Sequence, residues 1–143
     1  MLSSDKSVVK ICDFGVSRIK ASKQASMTVT SLTTGTESMA APEILLQKVR
    51  SNRATDLWSL GGTLVELFVQ CEPWNVEQAG DQALGEYLKS LMRAKLLPHN
   101  LFALEQFNRD VHSKVKQLFD YAPEKRPSAE DLCKFFSGEE EGN

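Results

Sequence analysis

The chain has 143 residues, 41% hydrophobic and 25% charged, with a formal net charge of −2. That length suits one domain, and the balance is that of a globular protein without the basic excess that favours nucleic acid. Three scattered cysteines, Cys12, Cys71 and Cys133, form neither a disulfide framework nor a zinc pattern and point to a reducing compartment, while His99 and His112 lack metal-ligand spacing.

The opening "MLSSDKSVV" has no basic region followed by a long apolar run, so it does not read as a signal peptide. The most apolar stretch, residues 57–69, is too short to span a bilayer and contains Glu66. The expectation is a cytoplasmic or nuclear protein that binds neither membrane nor nucleic acid. In chain order, Val8, Val9, Ile11 and Cys12 predict a short strand. Residues 16–40 carry ten Ser or Thr, little periodicity and the basic Arg18, Lys20 and Lys23, the pattern of a long functional or disordered loop. "PEILLQ" from Pro42 predicts a short helix with proline in its first turn. Residues 56–70 predict a longer helix, apolar on nearly every side and therefore buried all round, with Asp56 as its cap. Leu84, Tyr87, Leu88, Leu91 and Met92 share one helical face, and Val111, Val115, Leu118 and Phe119 predict a further helix. Ser128 and Asp131 suit a capping box opening a last helix with Leu132, Phe135 and Phe136. The pattern is mainly α, with one strand fragment, a long loop and about five helices. The acidic residues 138–143 form a tail.

Chemistry enters through the order of the motifs. "DFG" stands at residues 13–15, "GTESMAAPE" at 35–43, "DLWSLG" at 56–61, "EPW" at 72–74 and "PEKRPSAEDL" at 123–132. A lone Asp-Phe-Gly is also how a strand ends in a turn; the ordered set is far more specific. With these motifs the chain resembles the C-terminal lobe of a eukaryotic protein kinase of the Ser/Thr type, from its Asp-Phe-Gly onward. The resemblance implies a truncated kinase-like lobe over residues 1–137: a short β-hairpin, an activation segment, and a helical bundle around a buried central helix.

It also assigns roles. Asp13 takes the place of the family's magnesium ligand, a hard carboxylate suited to that ion, which bridges the phosphates of ATP. Phe14 and Gly15 complete that cofactor-binding motif, Gly15 by allowing a sharp turn. Ser31, Thr33 and Thr34 match the usual phosphorylation position, where an upstream kinase adds charge that pairs with arginine. Gly35 and Thr36 match the opening of the loop that binds a protein substrate. The family commonly has an aromatic residue at the position of Met39, so the packing under the substrate departs from the pattern. Glu43 and Arg126 resemble the family's buried ion pair, for which bidentate geometry suits a guanidinium. Asp56 matches the aspartate that supports the catalytic loop.

The catalytic loop, with its base and second metal-binding asparagine, has no counterpart in these residues; nor do the Gly-rich loop and the strand lysine with its glutamate partner. The resemblance therefore implies an ATP- and Mg2+-dependent protein serine/threonine kinase in an intact parent, with these residues inactive alone and an apolar face of the central helix uncovered. The alternative is a kinase-derived docking or regulatory module without catalysis.

Overall fold

The structure, a computed structural model, describes residues 9–12 and 37–138. The chain divides into two units, Met1–Thr34 and Gly35–Asn143. Of the first unit only residues 9–12 are described. There Val9 forms a β-bridge, and Ile11 and Cys12 are outside any strand; Val8 of the predicted strand lies outside the described residues. Val9 and Ile11 are exposed.

The regular elements described in the second unit are all helices. A 3-10 turn at Glu37–Met39 leads into α1 (Pro42–Gln47), α2 (Arg53–Val69), α3 (Leu84–Arg93), α4 (Arg109–Leu118) and α5 (Ala129–Ser137). Further 3-10 helices occupy Val76–Ala79, His99–Gln106 and Pro123–Lys125 in the connections. Pro42 opens α1, where its missing N–H is no loss, and Lys48 ends it in the left-handed conformation at φ 52°.

The start of α2 corrects the sequence reading. Asn52, not Asp56, is its cap. The Asn52 Oδ1 accepts hydrogen bonds from the N–H groups of Ala54 (2.8 Å) and Thr55 (3.2 Å). Thr55 Oγ1 reciprocates by accepting from the Asn52 N–H at 2.9 Å. This capping box satisfies the first donors a turn earlier than predicted and leaves Asp56 inside the first turn, exposed. The second correction concerns burial. Thr55, Trp58, Gly61, Gly62 and Val65 are buried, but Leu67 is 62% exposed and Leu60 and Phe68 are 39% exposed. Among the described residues, the helix packs against α4, the His99–Gln106 and Pro123–Lys125 helices and the Glu37–Met39 turn.

The core lies on the buried side of α2. Trp58 meets Phe119 and Tyr121 edge-on, with ring centroids 5.1 and 5.4 Å apart. Val65, Trp74, Leu88, Met92, Leu101, Leu104, Val115 and Leu118 complete it, each essentially without solvent contact. Helices α2 and α4 approach closely at Gly61, where a Cβ would fall 3.1 Å from Leu118 Cβ and 3.1 Å from Phe119 Cζ. Phe119, expected inside α4, follows its last turn as the C-cap. The predicted capping box of α5 is present: Asp131 accepts from Ser128 N–H at 2.8 Å, and Ser128 Oγ accepts from Asp131 N–H at 3.1 Å. Hydrogen bonds from Ser128 hold the Asp131 carboxyl below its ordinary value. On α5 Leu132 is buried, Phe135 lies under the Lys114 ammonium at 5.0 Å, and Phe136 is exposed.

Candidate functional site

Three separate pieces of chain converge on the Arg126 guanidinium. The extended backbone after Pro123–Lys125 carries it inward, and its side chain is wholly buried. Its Nη1 donates to Glu43 Oε1 at 2.7 Å and its Nη2 to Glu43 Oε2 at 2.9 Å, a bidentate pair with a carboxylate only 8% exposed. Nη1 also donates to the Ala54 carbonyl at 2.7 Å, and Nε to the Asp120 carbonyl at 2.9 Å. The guanidinium carbon lies 5.1 Å from the Trp58 ring centroid. One side chain thereby ties the first turn of α1, the first turn of α2, the end of α4 and the central tryptophan. Such an arrangement suits a buried charge, because nearly every N–H has an acceptor.

The turn Glu37–Met39, just ahead of α1, is held from α2 and α3. Ser59 Oγ donates to the Met39 carbonyl at 2.9 Å. The Met39 sulfur lies over Gly62, and the Glu37 carboxylate over Gly85 near the start of α3. Ser38 is buried, and its hydroxyl has no hydrogen-bond partner among the described residues. Tyr87 on α3 donates to the Asn75 carbonyl at 3.1 Å, fixing α3 to the connection after Trp74.

Of the residues singled out in the sequence, the structure brings Glu43 and Arg126 into direct contact. Asp56 stands on the exposed first turn of α2 with no side-chain partner among the described residues. Asp13, Phe14, Gly15, Ser31, Thr33, Thr34, Gly35 and Thr36 lie outside the described residues. Among those that are described, no three His, Cys, Asp or Glu side chains cluster as a metal site, and no helix is long and apolar enough to cross a membrane. Sequence reasoning missed Ser59, the two carbonyls that Arg126 binds, and the roles of Gly62 and Gly85. Adjacent glycines inside an apolar helix, at residues 61–62, were the available signal.

The protein kinase domain model matches residues 1–135, nearly the whole chain. The chain belongs to the protein kinase family. Serine/threonine-protein kinase Nek5 of Homo sapiens is 32% identical over 133 residues, 93% of this chain and 17% of that protein. Its counterpart in Mus musculus is 33% identical over 133 residues, 93% of this chain and 19% of that protein. Mitogen-activated protein kinase kinase kinase ANP1 of Arabidopsis thaliana is 28% identical over 134 residues, 94% of this chain and 19% of that protein. The kinase chain described here thus spans less than a fifth of the length of these relatives.

Proposed function

We propose that this chain is part of the catalytic domain of a protein serine/threonine kinase, which in its full-length parent transfers a phosphoryl group from Mg-ATP to serine or threonine of a protein substrate. The observation that carries the reading is the bidentate Glu43–Arg126 pair. It fastens the end of "GTESMAAPE" to the helical core, the place where a substrate-binding loop needs a rigid base. The serine/threonine kinases among its relatives support the substrate class. In this reading Asp13 holds magnesium, with Phe14 and Gly15 shaping the same cofactor-binding turn. Gly35 and Thr36 contact the protein substrate, and Asp56, which has no side-chain partner among the described residues, supports the catalytic loop. Ser31, Thr33 and Thr34 are sites for an upstream kinase. Bound magnesium supplies charge neutralisation at the phosphates.

Positioning and charge stabilisation carry nearly all of phosphoryl-transfer catalysis, and these 143 residues contain neither a catalytic-loop base nor a Gly-rich phosphate loop. The chain alone is therefore inactive, and the parent is the enzyme. A second reading, a docking module derived from a kinase, draws on the exposed Leu60, Leu67 and Phe68 of α2. The experiment is radiolabelled phosphoryl transfer to a generic Ser/Thr substrate by the parent, the parent with Asp13→Asn, and the isolated chain. Activity in the wild-type parent alone supports the enzyme reading. Full activity of Asp13→Asn removes Asp13 as the metal ligand. An inactive wild-type parent leaves the docking module as the better account.

A further inference from the structure

Two helix glycines stand under one three-residue turn. Gly62 lies within α2 and Gly85 is the second residue of α3. Neither has a positive φ; among the described glycines only Gly80 and Gly138 do. Backbone conformation therefore does not call for glycine at either position, and alanine is the better helix former. The space above them does call for it. A Cβ on Gly62 would fall 2.5 Å from the Met39 sulfur, and one on Gly85 would fall 3.2 and 3.3 Å from the two Glu37 carboxylate oxygens. Met39 and Glu37 belong to the same turn, and Ser59, one helical turn before Gly62, holds the Met39 carbonyl. The Glu37 carboxylate also lies beside the first turn of α3, whose cap residue Ala83 offers no side-chain acceptor. The partial positive charge there favours an anion.

We propose that Gly62 and Gly85 are positioning residues for protein substrate. Each leaves a socket in which one side chain of the Glu37–Met39 turn is seated, directly after Gly35 and Thr36. The inference rests on the kinase reading given above. Met39 is unbranched and flexible, so a methyl group on Gly62 displaces the Met39 side chain rather than α2. Stability and substrate binding then separate. Gly62→Ala leaves the melting temperature unchanged or raised, whereas a purely structural glycine would lower it.

The test is steady-state phosphorylation of a Ser/Thr peptide array by the parent kinase carrying Gly62→Ala, Gly85→Ala, Met39→Ala, and Gly62→Ala with Met39→Ala. The expected result is a peptide KM raised roughly threefold or more by each glycine substitution, exceeding any fall in kcat, with KM for ATP little altered. The Gly62→Ala effect should disappear in the Met39→Ala background, because the colliding sulfur is gone. An active parent whose glycine variants keep the wild-type peptide KM and peptide preference overturns this inference alone. So do Gly62→Ala and Met39→Ala effects that simply add. A wild-type parent without phosphoryl transfer overturns the kinase reading, and the substrate role of both glycines with it.

Discussion

Arg126 shows how much one buried side chain can organise. Its partners come from residues 43, 54 and 120, so deleting its charge releases four acceptor oxygens at once. Either Glu43→Gln or Arg126→Met should destabilise the chain by about 3–5 kcal/mol, since each leaves the opposite charge or its acceptors buried without a partner. The double variant should recover part of that loss but not all, because the Ala54 and Asp120 carbonyls stay without their donor. Urea unfolding of the four proteins measures this, and a coupling energy near zero would contradict it. Tyr121 makes a second prediction at this scale. Its hydroxyl donates to the Leu96 carbonyl at 2.6 Å, and burial pushes its pKa up to about 12. An unfolded tyrosine ionises near pH ~10. Tyr121 therefore contributes stability that is fully present below pH ~10 and is lost as pH rises through its folded value. The stability difference between the wild type and Tyr121→Phe should shrink across that alkaline window. A phenolate absorbance step near the upper end should be missing from Tyr121→Phe.

At the scale of elements, periodicity located all five α-helices of the described residues, because each buries a face whose apolar spacing is written in the sequence. The start of α2 was misread because Asp56 and Asn52 are both good caps by residue type; only the Asn52 backbone, extended at φ −144°, with Thr55 three residues on, decides between them. Asn52→Ala should therefore cost about 1 kcal/mol, and Asp56→Ala about 0.5 kcal/mol or less, in thermal unfolding. The burial of α2 was misread for a different reason. An all-round apolar sequence says that a helix has partners on every side, not that those partners lie within the same residues. Leu67→Gln should change stability by no more than about 0.5 kcal/mol, since Leu67 is 62% exposed. Leu88→Ala, at 0% exposure, should cost about 2–5 kcal/mol. Equal effects at the two positions would mean that the exposed face of α2 is covered in solution.

For the whole molecule, the family was legible because its motifs combine chemistry with spacing, and the Glu43–Arg126 pair was legible because a glutamate and an arginine 83 positions apart each sat in such a motif. The seating of the Glu37–Met39 turn was not, because a glycine records only what is missing, and nothing in the sequence names the side chain that fills its place. The described core is self-contained in one respect that can be tested. Every buried apolar residue named above, the Trp58 aromatic cluster and both members of the ion pair lie within the unit Gly35–Asn143. A chain beginning at Gly35 should therefore still unfold cooperatively, with a denaturant dependence set by that core. Ending the same chain at Lys125 removes Arg126 and α5. It leaves Glu43 buried without its cation, the Ala54 and Asp120 carbonyls without a donor, and the core without Leu132. The loss of the pair alone is comparable to the whole stability of a marginal domain. Chemical denaturation followed by tryptophan fluorescence, which reports on Trp58 and Trp74, should show a sigmoidal transition for residues 35–143 and none for residues 35–125. A cooperative transition in the shorter chain would show that the Arg126 junction is not what closes the core.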